Sequence, residues 1–299
     1  MRRVLVMAML LTALAAAAPQ LAQAARPPAV PAHGALWGAF PNEPGGIARL
    51  QGRVGRRLAI VNRYVPWTFS HWSSIGDYLR GGHLPMVSWS AAPTTTAAAI
   101  ASGSQDGVLQ RAAAGLKALH GRVFLRAFYE FDQPQGHPRY IGSPAQVRAA
   151  FRRLHHIFRV AGATNVRIVW CPMAFDFQHG IARSYWPGNK YVNWVGTDGY
   201  NFPGKTWRSF GAIFGNAYRF AVGHGKRMVI AEVASPAADP RTPSWMLAGA
   251  RWIHHHPLIH AVSYFDSTSP KGYNFQVATN RHTLAAFRAW GLRRWFHRR

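Results

Sequence analysis

Glutamate is scarce in this chain of 299 residues, and where it stands is the first hint of chemistry. There are three glutamates: Glu43, Glu130 and Glu232. Glu130 closes the run Val123-Phe124-Leu125-Arg126-Ala127-Phe128-Tyr129-Glu130, and Glu232 follows Met228-Val229-Ile230-Ala231. Both runs read as β-strands, and a carboxylate at a buried strand end is costly unless something uses it or neutralises it. Two readings are open. In one, the glutamates face each other across a cleft and work on a glycosidic bond. One attacks the anomeric carbon, while the other protonates the departing oxygen and later deprotonates water. In the other, each glutamate neutralises an arginine at a strand mouth, and Arg126 lies close to Glu130 in sequence.

The elements that would hold this pair follow from periodicity. Short apolar runs at 35–40, 58–64, 84–89, 123–130, 166–171, 194–200, 228–233 and 259–265 predict eight strands. Amphipathic patterns at 105–120, 144–160, 207–222, 241–255 and 280–296 predict helices between and after them. Ser143 reads as the N-cap of the second, with Pro144 in its first turn and Gly162 at its end. The alternation predicts an α/β fold, a single (β/α)8 TIM barrel. No GxGxxG follows the first strand, and neither a Walker A loop nor a GxSxG elbow occurs. In a barrel, Glu130 on the fourth strand and Glu232 on the seventh meet at the C-terminal rim, where this fold builds its sites. Strand ends also carry Trp37, Trp67, Trp89, Trp170, Tyr200 and Tyr264, with Asp198 and Asp266 beside them. Flat rings stack on sugar faces and carboxylates grip hydroxyls. The candidate substrate-binding set is therefore Trp37, Arg126, Trp170, Asp198, Tyr200 and Tyr264, although any single aromatic there also suits ordinary core packing.

Composition bounds the rest. Residues 1–24 read as a signal peptide: Met1-Arg2-Arg3, an apolar stretch and an Ala22-Gln23-Ala24 cleavage site. Residues 25–34 form a proline-rich lead-in, and 35–299 the catalytic-type domain. The expectation is a secreted or envelope-associated monomer, with an uncleaved N-terminal anchor as the alternative. The lone cysteine, Cys171, excludes an internal disulfide and has no metal-ligand spacing around it. His254-His255-His256 lacks the i, i+4 spacing of a helical zinc site. No metal and no organic cofactor are implied. The formal charge of +25 suits an acidic partner. The basic residues are spread along the chain without a nucleic-acid motif, so an acidic glycan or cell envelope is the expected partner rather than a specific nucleic acid.

Several segments resemble glycoside hydrolase family 26, a family of (β/α)8 enzymes that includes secreted β-mannanases. Arg126-Ala127-Phe128-Tyr129-Glu130-Phe131-Asp132 is similar to its Arg-x-x-His-Glu-x-Asn stretch, whose Glu is the general acid/base. The run 163–172 resembles its fifth strand, Gly-x-Asn-Val…Trp-x-Pro-Asn. The run 185–201, from Tyr185-Trp186-Pro187-Gly188 to Val195-Gly196-Thr197-Asp198-Gly199-Tyr200-Asn201, is the most specific match. Its Tyr200 corresponds to a tyrosine that touches the nucleophile. Lys226-Arg227-Met228-Val229-Ile230-Ala231-Glu232 resembles the nucleophile strand. The resemblance covers roughly residues 35 to 290. It implies a secreted retaining glycosidase acting on a β-linked polysaccharide, with Glu130 as acid/base, Glu232 as nucleophile, and Tyr200 and Arg126 holding their charge states. The chain departs from the mannanase pattern at Tyr129 for His, Asp132 for Asn and Met173 for Asn, and Gln133-Pro134-Gln135-Gly136-His137-Pro138 replaces a Trp-rich stretch. The competing expectation is a non-hydrolytic glycan-binding or envelope polysaccharide-assembly protein on the same scaffold.

Overall fold

Strands such as Leu84-Pro85-Met86-Val87-Ser88-Trp89 are buried along their whole length. That is the pattern of a parallel sheet covered on both faces, because crossover helices bury the side that an antiparallel sheet would leave wet. A computed structural model, which describes residues 29–43 and 45–296, closes the eight runs into one parallel barrel in sequential order, β1 to β8. The strands are β1 Leu36–Ala39, β2 Ile60–Val65, β3 Leu84–Trp89, β4 Val123–Ala127, β5 Val166–Trp170, β6 Trp194–Tyr200, β7 Arg227–Ala234 and β8 Ile259–Tyr264. The expected (β/α)8 barrel is thus observed. The signal-peptide reading of residues 1–24 and the first part of the lead-in lie outside the described residues.

The helices are α1 Gly46–Val54, α2 Gly76–Arg80, α3 Ala97–Ser102, α4 Asp106–Lys117, α5 Pro144–Val160, α6 Ala174–Gln178, α7 Phe210–Gly223, α8 Thr242–His254 and α9 Arg281–Gly291. Helix α5 keeps its expected bounds because both ends carry local signals. Ser143 and Gln146 form a reciprocal capping box, and Gly162 takes the left-handed φ of 68° that follows a helix end. Among the described residues, no helix is long and apolar enough to cross a membrane.

Strand parity sorts the core into two parts. Leu36, Ile60, Leu84, Met86, Phe124, Val169, Trp194, Val229, Ala231 and Ala261 fill the barrel interior, and Val30 of the lead-in packs against them. The larger cluster lies between strands and helices and takes in Trp37, Trp89, Trp170 and Tyr264. Gly38 lets β1 approach β2: a Cβ there would sit 1.7 Å from the Ile60 carbonyl oxygen.

Candidate active site

Strand β4 ends at Ala127, so Glu130 is not a strand residue as the sequence suggested. It sits on the tight turn that follows. Phe128 and Glu130 both adopt left-handed φ, 56° and 54°, a conformation that non-glycine residues hold only under constraint. The constraint is visible: the Phe128 N–H donates to the Trp89 carbonyl at 2.8 Å, and the Glu130 N–H to the Cys171 carbonyl at 3.2 Å. The turn thereby swings Glu130 over the barrel mouth.

Glu232 arrives by a different device. Strict alternation along β7 would send it outward with Met228 and Ile230, which pack against the helices. Instead, β7 carries a bulge. Thr197 pairs Ile230, but Asp198 pairs Glu232, so Ala231 is surplus in the ladder with β6. The ladder with β8 breaks at the same place. Ala231 and Glu232 together oppose one partner residue, and both face inward.

Arg126, fully buried on β4, ties the site together. Its guanidinium donates to Glu232 and to Asp198, and to the Ser88 hydroxyl at 3.0 Å. Ser88 in turn donates to Asn62 at 2.7 Å. Tyr200 donates its hydroxyl to the other oxygen of Glu232. Cys171, the buried thiol, faces Asp198 from below at 3.6 Å. Glu130 is 9 % exposed and pairs with Arg139 from the loop after β4. Tyr129 lies between the two arginines, its ring centre 4.6 Å from the Arg126 guanidinium and 5.2 Å from that of Arg139. Glu130, Asp198 and Glu232 each place a carboxylate oxygen within 4.8 Å of the other two. Such a trio could ligate a cation, but Arg126 already supplies positive charge to two of its members.

These surroundings drive the two glutamates in opposite directions. Burial, reinforced by the charge of Glu232, raises the proton affinity of Glu130 against the pull of Arg139 and Arg126. Burial would raise Glu232 too, but Arg126 and the hydrogen bond from Tyr200 outweigh it and hold the carboxyl below its ordinary range. Asp198 is pushed up by burial and by the neighbouring glutamates, against Arg126. Tyr200 is held protonated by burial and by the adjacent Glu232 charge, so it remains a donor. Two carboxyl groups with proton affinities pushed apart are the arrangement that divides acid from nucleophile.

Of the residues read from the sequence, the structure brings together Glu130, Glu232, Arg126, Asp198 and Tyr200. Trp37, Trp170 and Tyr264 do not belong with them, and their assignment as sugar contacts is corrected here. All three point outward from the barrel. Trp37 packs on Phe287 of α9, with ring centres 4.4 Å apart. Trp170 stacks on Phe220 of α7 and donates to the Tyr185 carbonyl at 3.2 Å. Tyr264 donates to the Ser235 carbonyl at 3.2 Å and packs on Phe287. Asp198 and Arg126 are wholly buried and out of direct reach of a sugar: Arg126 holds Glu232, and Asp198 holds Arg126.

The aromatic wall of the mouth consists instead of Phe40, Tyr64, Tyr129, Tyr200 and Phe265, all partly exposed and linked edge to face. Of these, Tyr200 was read from the sequence; Phe40, Tyr64, Tyr129 and Phe265, with Ser88 and Arg139, were missed. For Tyr64 and Ser88 the signal was available, since each pairs along one line of the sheet with Arg126: Tyr64 with Ser88, and Ser88 with Arg126.

A (β/α)8 barrel with two glutamates converging at its mouth is a layout that glycoside hydrolases use. Comparison with known proteins narrows the likeness. No family model matches the chain. Endoglucanase H of Acetivibrio thermocellus is 29% identical over 272 residues, which cover 85% of this chain but 30% of that protein. This chain therefore spans under a third of the length of that relative. A modular family 26 endo-β-1,4-mannanase from Cellulomonas fimi superposes with a TM-score of 0.68 at 15% identity, covering 88% of this chain and 71% of the other. A family 26 β-mannanase from Bacteroides ovatus gives 0.64 at 14% identity, over 89% and 86% of the two chains. At those identities the likeness is one of fold, and the fold this chain resembles is that of glycoside hydrolase family 26.

Proposed function

We propose that the protein is a retaining glycoside hydrolase that cuts a β-linked polysaccharide by double displacement. The observation that carries this reading is that Glu130 and Glu232 each bring a carboxylate oxygen within 4.8 Å of the other's. Retention needs carboxyl groups about 5–5.5 Å apart, whereas inversion needs room for a water and a gap of about 6.5–9.5 Å. Glu232, ionised and held by Arg126 and Tyr200, attacks the anomeric carbon while Glu130 donates its proton to the departing oxygen. A glycosyl ester on Glu232 results. Forming that ester removes the Glu232 charge that raised Glu130, so Glu130 gives up protons more readily and becomes the base that activates water. Arg126 is not left unpaired during the intermediate, because Asp198 remains on its second nitrogen.

The family 26 resemblance and an aromatic mouth support a polysaccharide substrate, met outside the cell if the leader-like residues 1–24 direct export. The names of the relatives differ in sugar, glucan against mannan, so the backbone is a matter for a substrate panel. On any glycan the wild type cuts, Glu232→Ala should abolish turnover. Glu130→Ala should retain the first step on an activated aryl glycoside, with azide restoring turnover. Wild-type-like hydrolysis by either variant removes that residue from the mechanism. A panel of mannans, β-glucans, xylans and acidic exopolysaccharides left uncut by the wild type would favour the glycan-binding alternative.

A further inference from the structure

Arg139 takes no part in the displacement described above, yet of the two arginines bonded to the glutamates among the described residues it is the one that solvent reaches. Its side chain is 36% exposed, whereas that of Arg126 is fully buried. A guanidinium carries five N–H donors in a fixed fork. Among the described residues, Arg139's one side-chain acceptor is Glu130, reached through a single nitrogen. The ring of Tyr129 supports the guanidinium plane. The remaining donors are thus held in place without partners, beside the carboxyl that would protonate the leaving group.

The surrounding face carries the same sign. The loops that follow the strands hold Lys205, Arg208 and Lys271, and none of these is ion-paired among the described residues. The exposed acids of those loops are already neutralised: Glu43 by Arg49, and Asp239 by Arg241. A neutral glycan would leave this excess charge, and the open fork of Arg139, unmatched.

We propose that Arg139 is a specificity residue that binds a substrate carboxylate, and that the glycan cut here is a β-linked polymer with uronosyl units beside the cleaved bond. This rests on the glycosidase reading of the same mouth. A carboxylate accepts two parallel hydrogen bonds from a guanidinium, the geometry that distinguishes Arg from Lys. It also explains why a cation is placed against the general acid, where it opposes protonation. A uronate drawing on Arg139 shares that charge and adds its own, so the groups facing Glu130 (Arg139, Arg126, Tyr129 and Glu232) turn toward favouring the protonated acid. An acidic substrate would then prepare the acid that cuts it.

Matched polymers test this. The C6-oxidised counterparts of β-1,4-mannan and β-1,4-glucan are poly-β-1,4-mannuronate and poly-β-1,4-glucuronate. Binding of hexasaccharides from all four is measured by calorimetry, and kcat/KM by release of reducing ends. The wild type should prefer an acidic series over its neutral partner by about tenfold or more, the size of one charge-assisted hydrogen bond. Arg139→Gln should erase that preference, while Arg139→Lys should keep part of it. Arg219→Gln, which removes an equal charge from helix α7, should leave it intact and so separates Arg139 from general attraction to a basic protein. Equal treatment of neutral and acidic series by the wild type, or equal loss of preference in both Gln variants, overturns the role of Arg139 and leaves the hydrolase reading standing. Binding of acidic oligosaccharides through Arg139 without cleavage of any series refutes hydrolysis and keeps the carboxylate site. Absence of both binding and cleavage overturns both.

Discussion

Tyr200→Phe removes one hydroxyl from the mouth and leaves its aromatic packing in place, since the ring keeps Phe202, Phe265 and Phe275 as neighbours. The hydroxyl donates to a nearly buried carboxylate, Glu232. A hydrogen bond to a charged group contributes about 1.5–3 kcal/mol, equivalent to about one to two pKa units. Glu232 is held below its ordinary range partly by this bond. Its loss must therefore raise the proton affinity of the nucleophile. The proposed mechanism requires Glu232 ionised, so the acid limb of kcat/KM should move upward by about one to two pH units. An activated aryl glycoside isolates the effect, because its leaving group departs without a proton from Glu130. Stability should report the same shift. A depressed carboxyl stabilises the fold above its unfolded pKa, and that stabilisation is lost as pH falls through the folded value. The variant should thus lose acid stability earlier than the wild type in melting scans. A fall in the plateau rate with the acid limb unmoved would refute the reasoning and make Tyr200 a sugar contact instead.

Glu130, raised by burial and by Glu232, should give the wild type an alkaline limb above the usual carboxylate range, with activity lost as pH rises through it; in Glu130→Gln that limb should vanish on an activated substrate. Proton NMR of fresh product should show the starting anomeric configuration first, and early appearance of the opposite anomer would exclude double displacement. Trp170→Ala should lower unfolding free energy by about 3–5 kcal/mol without raising KM of the folded enzyme. The converse result, a raised KM at unchanged stability in a denaturant titration, would return Trp170 to the groove.

The barrel was legible because its strands are buried on both sides and therefore stand out as unbroken apolar runs. The two glutamates were legible because acids are rare here. Which aromatics face the mouth was not, since both faces of most strands carry buried apolar residues and an aromatic by itself does not mark parity. Choosing Trp37, Trp170 and Tyr264 selected the outward face, and a slip of one residue exchanges every side chain. Arg126, Asp198 and Tyr200, once accepted as inward, would have fixed the register and drawn in Ser88 and Tyr64. Glu232 hides even from that correction, because only the bulge at Ala231 turns it inward. Arg139 lies on an irregular loop, and no periodicity addresses it.

The unequal tethering of the two glutamates bears on how such a barrel would lose its activity over time. Glu232 and Asp198 share one wholly buried guanidinium. Removing Glu232 would leave Asp198 on that guanidinium but strand the Arg126 nitrogen and the Tyr200 hydroxyl that donate to Glu232, and an unsatisfied buried donor costs about 1–3 kcal/mol. Glu130 is buried, but its partner Arg139 is an arginine that water already reaches, so losing Glu130 leaves no buried charge unpaired. A descendant released from selection for hydrolysis would therefore shed Glu130 readily and keep Glu232 for the sake of its fold. In sequences of this type, a retained nucleophile records folding as much as catalysis, and the acid on the strained turn is the residue whose presence marks a working enzyme.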